Sequence, residues 1–211
     1  MKNTKKYSSF SAAILLLVVL LACSTALTGL ASAASAFSPQ RFVEDARAQI
    51  GKTLFYDSSY TRIPYPGGDV PIVRGVCTDV VIRALRHQGI DLQRLVHEDM
   101  QKNFRLYPSA SRWGLKKTDA NIDHRRVPNL QRYFERQGYV VTDKTYLPGD
   151  IVTWNLHAQV THIGIVSDRM ALLGKRPLII HNIGYGAREE DILYEFTITG
   201  HYRIAATKKH F

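Results

Sequence analysis

The chain has 211 residues, 45% hydrophobic and 22% charged, with 28 Lys and Arg against 18 Asp and Glu for a formal charge of +10. That balance fits a globular domain and excludes a disordered or collagen-like polymer. Two cysteines exclude a disulfide framework, and the chain carries neither a P-loop nor a G-x-G-x-x-G pattern for nucleotide phosphates.

The N-terminus reads as an export signal. Lys2, Lys5 and Lys6 form a basic region, residues 12–22 are unbroken apolar sequence, and small residues fill positions 31–36. The apolar stretch is shorter than the roughly 18 residues a spanning helix needs, so a retained anchor is the lesser alternative. Cleavage is expected after Ala36 by the A-x-A rule. A rival site lies before Cys23, where Leu20-Leu21-Ala22-Cys23 resembles a lipobox and would place a lipid on the cysteine. The chain thus divides into a signal peptide, residues 1–36, and one domain, residues 37–211, whose formal charge is +7. Its expected place is the periplasm or cell envelope. Nucleic acid is disfavoured there, and the positive charge points to peptidoglycan, lipid headgroups or surface polymers, with a solvated surface as the plainer reading.

Ser38 as N-cap, Pro39 at the first position, the spacing of Phe42, Val43, Ala46 and Ile50, and Gly51 as a stop predict a helix of about three turns. Residues 53–75 hold too many Pro and Gly for a regular element and read as a structured loop. A helix follows, starting at Cys77, with Val80, Val81, Ala84 and Leu85 facing inward and Arg83, Arg86 and Gln88 outward. Asp91 caps another, with Leu92, Leu95, Val96 and Met100 inside. Pro128 to Gly138 bounds a further one. The period then changes: residues 139–142, 151–155, 162–167, 178–182 and 197–204 are short runs rich in β-branched and aromatic residues. Helices first and strands afterwards predict an α+β fold with a mainly antiparallel sheet.

Cys77 is the only cysteine beyond Phe37. A lone thiol in an oxidising compartment invites a functional explanation, although a small buried hydrophobe is the usual fate of a single cysteine. At a helix start the unfilled N–H groups and macrodipole favour the thiolate, and a neighbouring imidazolium favours it further. His162, at a strand start, is the candidate partner, and His181, on the next strand, can orient it through the far ring nitrogen. Tyr56, Tyr60 and Tyr65 are candidates for a substrate groove or an oxyanion donor. Arg62, Arg74, Arg125 and Arg126 are candidates for carboxylate recognition. No cofactor motif is present. Residues 119–130 start like a calcium loop, but His124 stands where Gly is required and Leu130 where Glu is required. A metal held by His157, His162 and His181 is the lesser use of those residues.

Cys77, then Gly149-Asp150-Ile151-Val152-Thr153-Trp154, His162-Ile163-Gly164-Ile165-Val166 and Ile179-Ile180-His181 resemble the NlpC-like cysteine peptidases of the papain superfamily. A closer resemblance is to the bacterial family called domain of unknown function 1287. It rests on Tyr65-Pro66-Gly67-Gly68-Asp69-Val70-Pro71, Gly75-Val76-Cys77-Thr78-Asp79-Val80, Asn121-Ile122-Asp123-His124-Arg125, Pro148-Gly149-Asp150-Ile151-Val152 and His181-Asn182-Ile183-Gly184. The resemblance implies an NlpC-like papain-type fold with Cys77 as nucleophile, His162 as base and His181 as orienter, Asn182 being the rival for the third place. It also implies a cell-wall peptidase or amidase acting on peptidoglycan stem peptides. Val76-Cys77-Thr78-Asp79 departs from the Asp-Cys-Ser-Gly common in NlpC-like enzymes, so substrate preference does not transfer. A transferase on the same fold and a non-catalytic wall-binding module are the alternatives; oligomeric state is not legible.

Overall fold

A computed structural model describes residues 36–157 and 160–205. The export-signal reading, including Cys23, falls outside the described residues apart from Ala36. Among the described residues no helix is long and apolar enough to cross a membrane.

Helix α1, Pro39–Arg47, begins as its sequence dictates: Ser38 is extended and its Oγ accepts the Arg41 N–H at 3.3 Å. Phe42, Val43 and Ala46 are fully buried, but the helix stops short of the expected end, and turns carry the chain past exposed Ile50 to Gly51 at φ 78°. The Pro- and Gly-rich loop follows, with its two short strands β1, Phe55–Tyr56, and β2, Arg74–Gly75, paired in parallel. Helix α2, Cys77–Arg86, is buried at every position from Cys77 to Leu85.

Arg83, expected on the outer face of α2, is instead inside. Its guanidinium binds Asp69 at 2.8 Å, Thr53 Oγ1 at 3.1 Å and the carbonyls of Val70 and Arg74 at 3.1 and 3.0 Å. A loop whose regular pairing is confined to two two-residue strands needs such a donor fork to satisfy its carbonyls. Helices α3, Leu92–Asn103, α4, Pro108–Trp113, and α5, Val127–Arg136, complete the helical layer.

Five strands form the sheet: β3, Ile151–Asn155; β4, Thr161–Met170; β5, Pro177–Asn182; β6, Ala187–Glu190; and β7, Thr197–Tyr202. Their order is β6-β5-β4-β3-β7 and every pairing is antiparallel, which makes the fold α+β with helices packed on an antiparallel sheet. Residues 139–142 contribute a single bridge, Val140 to Tyr202, rather than a strand, and edge strand β6 was not expected. Alternation divides the sheet's faces. Ile151, Ile163, Ile165 and Ile180 join α1, α2 and α5 in the main core, whereas Val152, Trp154, Val166 and Ile179 pack with Ile192 and Leu193.

Candidate active site

Cys77 occupies the first turn of α2, and that turn is clamped from three directions. Val76 lends no side chain to the cap. Asp79, three residues on, accepts the Val76 N–H at 2.7 Å, while Arg125 grips both Asp79 oxygens at 2.9 Å. Both side chains are 3% exposed, so the ion pair is a buried one. Arg125, a sequence candidate for substrate carboxylates, is therefore committed to the helix start. Asn182 Nδ2 donates to the Gly75 carbonyl at 3.1 Å and ties the end of β5 to the same turn.

The sulfur lies against the start of β4. Its surroundings include the backbone N–H of Ile163, the N–H groups of Thr78 and Cys77, and the Tyr56 hydroxyl. The first β4–β5 pair on this side is Ile165 with Ile180, so β5 does not claim the Ile163 N–H. His162 immediately precedes that residue. Its ring follows the Trp154 face of the sheet, at 5.8 Å from the indole, and its Nε2 is hydrogen-bonded to His181 Nδ1 at 3.0 Å. His162 is 2% exposed and His181 is fully buried. The bonds of Cys77 and His162 do not include one to each other; the structure brings the thiol to the peptide next to the imidazole.

Of the two rivals for the third place, His181 is bonded to His162, and Asn182 is not. Asn182 serves Gly75 and, through Oδ1, the Gly184 N–H at 3.2 Å. Beyond His181 stands a residue that the sequence reading missed: Glu190 Oε2 lies 3.0 Å from His181 Nε2. The intervening Gly164 keeps the histidines together, because a Cβ there would stand 2.6 Å from Ile179 Cγ2 and 3.2 Å from His181 Cβ.

Burial reverses the protonation expected from the helix start. It pushes the Cys77 thiol up to about 12, against the opposing pull of the three N–H groups and with the Asp79 charge adding to the rise. Burial likewise lowers His162 to about 3, with His181 adding to the fall, and lowers His181, where Glu190 opposes it. The resting site is a neutral thiol beside neutral imidazoles.

A pocket of about 410 Å³ opens onto the sulfur. Tyr56, Val76 and Cys77 line it together with Thr161, Arg112, Trp113 and Arg126, and neither His162 nor His181 reaches its surface. Arg126 lies over the Trp113 ring at 4.4 Å, and its NH1 stands 4.0 Å from the buried Asp123 carboxylate in a long ion pair. Ile122 and Arg126 also belong to a second pocket of about 860 Å³ that carries Arg62, Lys116 and Lys117. Tyr60 lines that second pocket and bonds Asp119, so of the three candidate tyrosines it is Tyr56 that meets the thiol. Arg74 is paired with Asp57 at 2.6 Å.

Comparison with known proteins agrees with the sequence motifs. A family model described as "Domain of unknown function (DUF1287)" matches residues 43–204. The uncharacterized protein YijF of Escherichia coli K12 is 57% identical over 169 residues, covering 76% of this chain and 78% of that protein. Among solved structures, NlpC1 from Trichomonas vaginalis matches with a TM-score of 0.44 and 16% identity, over 78% of this chain. The chain spans 43% of that protein's length.

Proposed function

The chain is a member of the family named domain of unknown function 1287, and from that premise we propose that it is an exported cysteine hydrolase cutting an amide bond in peptidoglycan stem peptides. The observation that carries the reading is a thiol at a helix start, open to a pocket and seated on the backbone beside a buried histidine pair. A structural cysteine has no need of that pocket or of a His162–His181 bond next to it.

The chemistry follows from the neutral resting state. As Cys77 sulfur attacks the amide carbonyl, its proton passes to His162, whose ring needs to close the remaining gap; catalytic hydrogen bonds commonly tighten only when substrate is bound. The tetrahedral oxyanion meets the Cys77 N–H and the Tyr56 hydroxyl, donors already directed at this space. The imidazolium then protonates the leaving amine, leaving an acyl-thioester on Cys77. His162 next takes a proton from water, and the attack of that water releases the acid and restores the thiol.

Substrate choice rests on charge and place. Arg112 and Arg126 line the pocket beside the sulfur, and a guanidinium suits a carboxylate. Stem peptides offer both amides and carboxylates, and the N-terminal export pattern would deliver the protein to the envelope, either free or held by a lipid on Cys23. Incubating protein lacking residues 1–36 with purified sacculi should release soluble peptides identifiable by mass, and Cys77→Ala should release none. Sacculi left intact by a protein whose thiol is reduced and chemically accessible would refute peptidoglycan as substrate. Peptide transfer to an added amine without hydrolysis would favour a transferase.

A further inference from the structure

The histidine pair ends on an acidic residue that no sequence motif marks. Glu190 pairs with Ile179 across β5 and β6, and Arg188 pairs with His181, so all four side chains share one face of the sheet. Glu190 reaches His181 along the diagonal. Its Oε2 is 3.0 Å from His181 Nε2, while Oε1 lies 3.6 Å from Arg188 NH1.

We infer that Glu190 is a positioning residue that fixes the tautomer of His181 and, through it, of His162, leaving His162 Nδ1 as the bare nitrogen that receives the thiol proton. A carboxylate only accepts hydrogen bonds, so the contact places the His181 proton on Nε2. A neutral imidazole carries one proton, and His181 Nδ1 is then an acceptor. Its partner at 3.0 Å, His162 Nε2, must donate. That consumes the single proton of His162 and leaves Nδ1 with a free lone pair. Burial, which favours the neutral form of both rings, supports the one-proton count. Reversing either bond would put the proton on Nδ1 and abolish the base.

For its activity arm the inference rests on the hydrolase reading; for its structural arm it does not. Protein carrying ¹⁵N-labelled histidine should show His162 protonated at Nε2 and bare at Nδ1. Glu190→Leu, at a side chain 36% exposed on an edge strand, should keep the melting temperature and exchange the protonated nitrogen of His162. Glu190→Gln, whose amide oxygen still accepts, should retain the wild-type pattern. With a cleaved substrate, Glu190→Leu should lower kcat on the order of 100-fold, the scale of a misprotonated general base, with KM unchanged and Glu190→Gln largely restoring it. A His162 tautomer unchanged in folded Glu190→Leu would overturn the inference. The tautomer exchange without any amide cleavage by wild type would uphold it and sink the hydrolase reading alone.

Discussion

At the scale of single residues, two opposing effects act on Cys77 and burial prevails. The helix start supplies N–H groups that favour a thiolate, as its position in the sequence implies, yet a side chain only 3% exposed at the base of its pocket loses more solvation than those dipoles return. A thiol raised to about 12 holds less thiolate at neutral pH than a free cysteine of about 8.5. Iodoacetamide should therefore label Cys77 more slowly at pH 7 in the folded protein than in urea, with the folded rate still climbing at pH 9. His162, lowered to about 3, stays neutral throughout the neutral range. The acid limb of kcat/KM should then lie well below the usual histidine value of about 6.5. An inflection near pH 6.5, accompanied by fast labelling at pH 7, would establish a preformed thiolate–imidazolium pair instead.

At the scale of elements, the site depends on β4 and β5 approaching closely where their histidines meet. Gly164 makes that approach feasible. Gly164→Ala would drive a methyl group to 2.6 Å from Ile179 Cγ2 and crowd His181, which should cost about 1–3 kcal/mol in urea unfolding. Turnover should fall by more than the unfolded fraction explains, because the displaced ring is the one that orients His162. Loss of stability with turnover per folded molecule unchanged would remove Gly164 from the site's geometry. These strands were legible in sequence because their β-branched runs are dense, as were the helix starts at Ser38-Pro39 and Pro128. Strand β6 was not: Ala187-Arg188-Glu189-Glu190 has no β-branched residue and owes its conformation to pairing with β5. The relay's last member was hidden with it. Arg83 was misplaced for a related reason, since helical spacing marks a face but cannot show that an irregular loop covers that face and needs its donors.

At the scale of the whole molecule, the pocket at Cys77 neighbours a second, basic pocket with which it shares Ile122 and Arg126 as wall residues; under the proposed function that second pocket would receive anionic groups of the substrate beyond the scissile amide. The order of Cys77, His162 and His181 along the chain was readable, and so was the α+β layout that places a helix start against strands. The pocket wall was readable only in part: Tyr56 and Arg126 stood out as candidates, whereas Arg112 and Trp113 come from a segment that only the tertiary fold brings to the thiol. In the proposed reaction Cys77 carries the acyl group. This is tested most directly by mixing the protein with a peptidoglycan-derived peptide, quenching in acid within milliseconds, and measuring intact mass and the modified peptide. The expected result is an added mass equal to the acyl fragment, located on Cys77, formed more slowly in His162→Ala and absent in Cys77→Ala. Peptide cleavage that persists in Cys77→Ala, or an adduct mapped to another residue, would contradict it.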